Sequence, residues 1–350
     1  MNSRVAALMS EQWGLVARHQ ALIAGMSEHQ VDNLVKAGRW VVVRRGVYAE
    51  AAYLALLTSD LQRRVLGDRA ASLRITDPHV MSHHSAATLL QLEVLHEPTP
   101  FTHVGRPGIV GSHIRHGVKH HLAPYSPGQV VLVDGVPVLD RSRTALDIAR
   151  EHGYLQGLVA ADSALRAGAT GADLEAAAAA MTHWPNATIV RDVIASASPL
   201  TDSIAETLGR DFVIELGYGV PQLQFGLTAD GRTVWCDLRL GRHFFEVDGR
   251  WKLLPATAGG LSTKRPEDTL WDEKLRQDFV TGFKTGVSRL TWDDFFGRQR
   301  RHALDRCRRE FLDTCERFGT DISDLARFRP RGPKPRAVVP KSPLLPRWLP

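Results

Sequence analysis

The stretch from Tyr218 to Gly249 limits the fold more than any other part of the chain. "YGVPQLQFGLT", "TVWCDLRL" and "HFFEVDG" are apolar-rich runs of strand length, separated by "ADGR" and "GR". Short runs punctuated by Gly-containing turns predict three consecutive antiparallel strands. Before them, Asp202 or Ser203 offers an N-cap, and Ile204, Leu208 and Phe212 recur at i, i+4 and i+8, the spacing of one helix face. After them come a helical segment, "RPEDTLWDEKLRQDFVTGFKTG", and a further strand, "VSRLTW". The expected order over residues 199–296 is therefore αβββαβ, one domain of an α+β chain.

That order brings acids together. Glu246 and Asp248 are two apart, so a strand presents both on one face with Phe244, opposite Phe245 and Val247. Asp237 lies on the preceding strand and Glu206 on the flanking helix. Carboxylates from separate elements are the hard oxygen donors that Mg²⁺ takes, and such an ion can polarise a phosphodiester. Asp237, Glu246 and Asp248 are the candidate metal ligands. Glu206 and Lys252, four residues past Asp248, complete the candidate catalytic set, with Lys252 offsetting phosphate charge. A plainer reading competes: "DG" at 248–249 is a common strand-ending turn, and a Glu beside it can simply face solvent.

Residues 1–60 read as helices followed by a hairpin. In "MSEHQVDNLVKAGRW", Ser27 is the N-cap with Gln30 three residues on, Val31, Leu34 and Val35 form the apolar stripe, and Gly38 is the stop. "RWVVVRRGVYAE" then switches to strand character, broken by Arg44, Arg45 and Gly46. Helix, helix, hairpin is the order of a winged helix. On the helix face opposite the stripe, His29, Gln30, Asn33 and Lys36 are placed to reach base edges in a major groove, with Arg39, Arg44 and Arg45 on phosphates or in the minor groove. The alternative is a helical subdomain whose outer face is merely polar: residues 1–60 hold 6 Lys/Arg against 5 Asp/Glu, and that balance does not choose.

Residues 61–198 form a mixed α/β middle domain. "SHHSAATLL" looks like a helix start, "FTHVGRPG" and "GQVVLVDGVPVL" like short strands, and "RSRTALDIAREHG" opens a helical stretch. His113, His116, His120 and His121 raise the question of a metal site, but the segment is strand-like and Gly-bounded, where positions three apart face opposite ways. They are expected to be surface histidines.

Charge is uneven. From Gly297 onward there are 14 Lys/Arg against 6 Asp/Glu, so residues 297–350 carry the chain's positive excess, within a net charge of +6. A basic helix, "RQRRHALDRCRREFLDTCERF", leads into a Pro-rich tail that cannot be regular and is expected to be extended and mobile. Localised basic charge suits a polyanion such as double-stranded DNA; a solvated tail is the other reading. From three cysteines without C-x-x-C spacing neither a disulfide framework nor a zinc site follows, and with no apolar stretch of membrane length the expected compartment is the cytoplasm, with no membrane partner.

The αβββαβ order with Asp237, "EVDG" and "SRLTWDDF" resembles the very-short-patch-repair-like branch of the PD-(D/E)xK nuclease superfamily. The resemblance implies a restriction-endonuclease-like domain, Mg²⁺, and roles for Glu206, Asp237, Glu246 and Asp248. In that branch E-x-D-G-x-x-H is common, and here Lys252 stands where the His falls. Over roughly residues 10–150, "RHQALIAGMSEHQVDNLVKAGRWVVVRRGVYA", "SHHSAATLL" and "GVPVLDRSRTALDIA" resemble AbiEi-type antitoxins of type IV toxin–antitoxin systems. That implies DNA binding and a cognate toxin as partner. Two functions follow as expectations: Mg²⁺-dependent DNA cleavage in phage defence or a toxin–antitoxin setting, or a non-enzymatic autorepressor with a degenerate nuclease fold.

Overall fold

The computed structural model describes residues 2–95, 101–248, 266–335, 344–346 and 348. The chain divides into two compact units, residues 1–196 with 339–350, and residues 197–338.

The first unit begins with α1 (Ser3–Glu11), β1 (Leu15–Ala17), α2 (Arg18–Ile23), α3 (Glu28–Lys36), β2 (Trp40–Arg44) and β3 (Val47–Glu50). The strands form an antiparallel sheet ordered β1-β3-β2, which fits a winged helix. The capping signal works as its spacing requires: Ser27 Oγ accepts from Gln30 N, and Gln30 Oε1 accepts from Ser27 N. Val31 is fully buried from α3, against a core that includes Val5, Met9, Leu15, Trp40 and Val47. Gly46, at φ 77°, makes the tight β2–β3 turn possible.

After α4 (Ala51–Ala55) and α5 (Asp60–Arg74) comes a six-stranded mixed sheet ordered β6-β7-β5-β4-β9-β8. Its strands are β4 (Val80–Met81), β5 (Thr102–Gly105), β6 (His113–Arg115), β7 (Val118–His121), β8 (Val130–Val133) and β9 (Val136–Leu139), with α6 (His83–Leu89) between β4 and β5. Helices α7 (Arg141–His152), α8 (Tyr154–Arg166), α9 (Gly171–Ala179) and α10 (Ala187–Ser196) follow. α7 and α8 approach so closely that a Cβ on Gly157 would lie 2.3 Å from Ala149 Cβ. Within this core Arg143 and Asp147 are both fully buried and paired at 2.9 Å.

Two expectations are corrected here. His113 and His116 are exposed, but His120 and His121 are buried, because β7 is an inner strand covered on both faces rather than an edge. The tail is not free over its described residues: Leu344, Leu345 and Trp348 are buried, Tyr53 donates to the Pro346 carbonyl at 3.0 Å, and Trp348 donates to Glu50 at 3.1 Å. Apolar "LLPRW" outweighs the proline content by giving the tail a surface to bury.

The second unit has α11 (Ile204–Glu215), β10 (Gln222–Ala229), β11 (Arg232–Leu240), β12 (His243–Asp248), α12 (Pro266–Thr281) and β13 (Gly286–Thr291) in that order, the αβββαβ sequence of elements. β10, β11 and β12 are antiparallel neighbours, and β13 joins β12 in parallel, His243 beside Gly286. Phe225, Leu227, Val234, Cys236, Phe244, Val280 and Leu325 form one core cluster. On α11, Gly209 lets the helix settle on Val247 and Leu238, whose side chains lie 2.7 and 3.2 Å from where its Cβ would be. The basic helix α13 (Gly297–Phe318) packs through Ala303, Leu304, Cys307 and Phe311. Much of its charge is already answered: Arg300 meets Asp211 and Glu215, Arg306 meets Asp294 and Glu310, and Arg308 meets Asp305.

Candidate nucleic-acid interface and acidic site

Helix α3 presents the polar face that a reading element needs. His29, Gln30, Asn33 and Lys36 are exposed, as is Arg39 at the entry to β2. Gln30, Asn33 and Arg39 line one concavity of about 510 Å³ with Asn2, Met26 and Leu34. The helix is held in place from behind by Arg18, whose guanidinium donates to Asp32 at 2.7 Å and to Tyr48 Oη at 3.3 Å. Asp32 is held below the usual carboxylate range by that hydrogen bond. A Gln30 whose Oε1 is committed to the cap keeps its amide N–H groups to offer outward.

The two hairpin arginines divide. Arg45 is exposed, whereas Arg44 is half-buried and donates to the His116 carbonyl. Both line a second cleft, of about 780 Å³, together with Arg74, Arg106, Arg115 and His116. Arg74, Arg106 and Arg115 were not among the residues expected from sequence; they lie on three different elements or loops, and no local spacing links them to the hairpin. Arg106 is partnered by Asp77, yet the cleft as a whole remains strongly basic, a lining suited to phosphate.

In the second unit Glu206, Asp237 and Glu246 are all buried. Burial and then the negative charge of Asp237 push Glu206 up to about 7, and the same two causes push Glu246 up to about 7. The three carboxylates therefore share one electrostatic environment. Glu206 Oε2 accepts from Asp202 N and from Gln224 Nε2, both at 2.8 Å. Asp237 Oδ2 accepts from Val247 N at 3.0 Å, and Glu246 is paired with Arg276 at 2.6 Å. The β10–β11 ladder runs through Leu223↔Leu238 and resumes at Phe225↔Cys236; Gln224, between them, sits at φ 51°. The β10–β11 ladder is interrupted beside Asp237, whose carboxylate accepts from β12 on the other side. Gln224 and Arg276 belong to this site and were not singled out from the sequence, Gln224 because its left-handed backbone leaves no trace in the strand pattern. Asp248 ends β12, but its side chain and the whole of Lys252 lie outside the described residues.

Taken alone, the N-terminal geometry is a small module with an exposed polar helix face and a hairpin that carries Arg44 and Arg45. Residues 3–51 match a family model described as a transcriptional regulator, AbiEi antitoxin. No curated protein matches the chain. Among the described residues, no helix is long and apolar enough to cross a membrane.

Proposed function

We propose that the protein is a DNA-binding transcriptional regulator of a toxin–antitoxin setting, with double-stranded DNA as its first partner and a cognate toxin as its second. The observation that carries this reading is the exposed polar face of α3 within the segment that matches the AbiEi regulator model. His29, Gln30, Asn33 and Lys36 read base edges, Arg39 and Arg45 hold phosphates, and Arg44, Arg74 and Arg115 extend the phosphate track along the second cleft. Footprinting on the DNA upstream of its own gene tests it. Asn33→Ala is expected to lower affinity for the protected site by about 1–3 kcal/mol and leave non-specific binding alone. Arg45→Ala is expected to weaken all DNA alike and reduce the salt slope by about 1. A wild-type protein that protects no site at low salt would overturn the reading.

A second reading is supported by the acidic site: Mg²⁺-dependent phosphodiester cleavage by a PD-(D/E)xK-like domain. Two carboxylates pushed up to about 7 by burial and then by the charge of a third are a set that a divalent cation would relieve. Asp237 and Glu246 would hold Mg²⁺, with Asp248 and Lys252 completing the set expected from sequence. A bound ion would supply Lewis-acid polarisation of the phosphate. The chain's own residues position it: Gln224 and the Asp202 backbone fix Glu206, and Arg276 must release Glu246 Oε2 for that oxygen to bind a metal. Plasmid incubated with Mg²⁺ decides the matter. Cleavage lost in Asp237→Asn supports the nuclease, and no cleavage by wild type, or equal cleavage by Asp237→Asn, removes it.

A further inference from the structure

Three imidazoles meet in the six-stranded sheet of the first unit. His103 is on β5, His121 ends β7, and His83 opens α6. Strand register puts the first two on one face: β5 and β7 are parallel with Gly105 beside His121, and His103 is two residues from Gly105. His83 is 2%, His103 0% and His121 3% exposed. One ligating atom from each lies within 4.8 Å of the other two; among the described residues this is the group of three or more His, Cys, Asp or Glu donors that closes so tightly. His103 Nδ1 and His121 Nε2 are 2.9 Å apart. The His83 ring lies over that of His121, centroids 3.7 Å apart and planes 17° apart.

A plain hydrophobic core would place Val, Leu or Phe here, and three buried polar rings instead require an explanation. The backbone supplies a second observation. His83 sits at φ 47°, a left-handed conformation that costs a side-chain-bearing residue about 1–3 kcal/mol and persists at sites where position matters. Its Nδ1 is hydrogen-bonded to Ser82 Oγ at 3.1 Å, which fixes the ring and leaves Nε2 for another partner.

We propose that His83, His103 and His121 form a binding site for a divalent transition-metal ion, with zinc the ion that the ligand set suits. Neutral imidazole selects zinc, copper, nickel or cobalt over Mg²⁺ and Ca²⁺. Two nitrogens on one tetrahedral zinc, each at about 2.0–2.1 Å, stand roughly 3.3 Å apart, so the ion takes the place of the proton between His103 and His121, that pair parts by a few tenths of an ångström, and ligating atoms that now lie up to 4.8 Å apart close to that spacing. The fourth position belongs to solvent or an anion. A cavity of about 150 Å³ lined by His83, His121, Asp147, Arg150 and Glu151 adjoins the rings. Its carboxylates are occupied, Asp147 by Arg143 and Arg150 and Glu151 by Lys119. Three protein ligands with one open position is the pattern of an accessible zinc rather than of a closed structural one.

The test uses the full chain without a polyhistidine tag, stripped with chelator and titrated with Co²⁺ and Zn²⁺. The expected result is about one equivalent bound, a tetrahedral Co²⁺ visible spectrum without thiolate charge-transfer bands, and displacement of Co²⁺ by Zn²⁺. His121→Gln loses the spectrum, Ser82→Ala weakens binding about tenfold, and His113→Gln, an exposed histidine on the other face of the sheet, behaves as wild type. Should His121→Gln fail to fold, His103→Asn serves as the second ligand deletion, and the wild-type spectrum stands by itself. Sub-stoichiometric binding by wild type, thiolate bands implicating Cys236, Cys307 or Cys315, or a folded His121→Gln or His103→Asn that keeps its metal would each overturn the site.

Discussion

At the scale of single residues, buried charge sets the most severe sensitivities. Arg143 and Asp147 are both fully buried, and Arg143 also donates to the Pro124 carbonyl at 2.8 Å, while Arg150 reaches Asp147 at 3.4 Å. Asp147→Ala removes the carboxylate that two guanidinium groups share, leaving Arg143 buried without its counter-charge, and is expected to cost about 3–5 kcal/mol in urea unfolding of the first unit. In the second unit His243 bridges Thr314 Oγ1 and Ser288 Oγ at 2.7 and 2.8 Å, and burial lowers it to about 4. Because its folded value lies below the ordinary one, its contribution is complete above about 6.5 and is lost as pH falls towards 4. Glu206 and Glu246 act in the opposite sense, since raised carboxyls bind protons first in the folded state and add stability as pH falls from about 7. His243→Asn is therefore expected to gain on wild type progressively between pH 6.5 and 4, measured by parallel denaturant titrations. Residue identity shows little of this beforehand. Ser27 with Gln30 announces its cap by spacing, but His83, His103 and His121 are far apart in sequence, and only strand register shows that they meet.

Among elements, close approaches made by glycine govern tolerance. Gly157 lies inside α8, where an alanine would raise helix propensity by about 1 kcal/mol. Its Cβ would nevertheless meet Ala149 Cβ at 2.3 Å and Ala149 Cα at 2.6 Å. Overpacking of that kind costs about 1–3 kcal/mol or more, so Gly157→Ala is expected to lower the melting temperature of the first unit. Gly286 on β13 is tighter still: an added Cβ would lie 1.9 Å from Thr314 Oγ1 and 2.7 Å from His243 Nδ1. Gly286→Ala should displace α13 from the sheet, and Gly286→Ala combined with Thr314→Ser should recover little, since the hydroxyl itself is the obstacle; thermal melts of the pair check this. The element order α11, β10, β11, β12, α12, β13 was legible because turn residues and period-two patterning agree from end to end. The break at Gln224 was not, because one left-handed residue alters the ladder without altering the alternation. Nor did composition show that Arg300 and Arg306 of α13 are matched by acids on α11 and beside β13.

For the molecule as a whole, two cores imply two transitions. Calorimetry is expected to show unfolding that is not two-state, with a van't Hoff enthalpy below the calorimetric one. Zinc, if it occupies the three-histidine site, should raise only the transition of the first unit.

The return of Leu344, Leu345 and Trp348 to the first unit, where a Cβ on Gly14 would lie 3.0 Å from the Trp348 ring, bears on timing. On a ribosome adding about 5–20 residues per second, residues 197–338 are made before the segment that seats on Tyr53 exists. For roughly 7–30 s the nascent N-terminal segment shows an unfilled apolar surface around Gly14 and Tyr53. The second unit is thus an insertion in time as much as in sequence, and Leu344, Leu345 and Trp348 complete a core laid down before it.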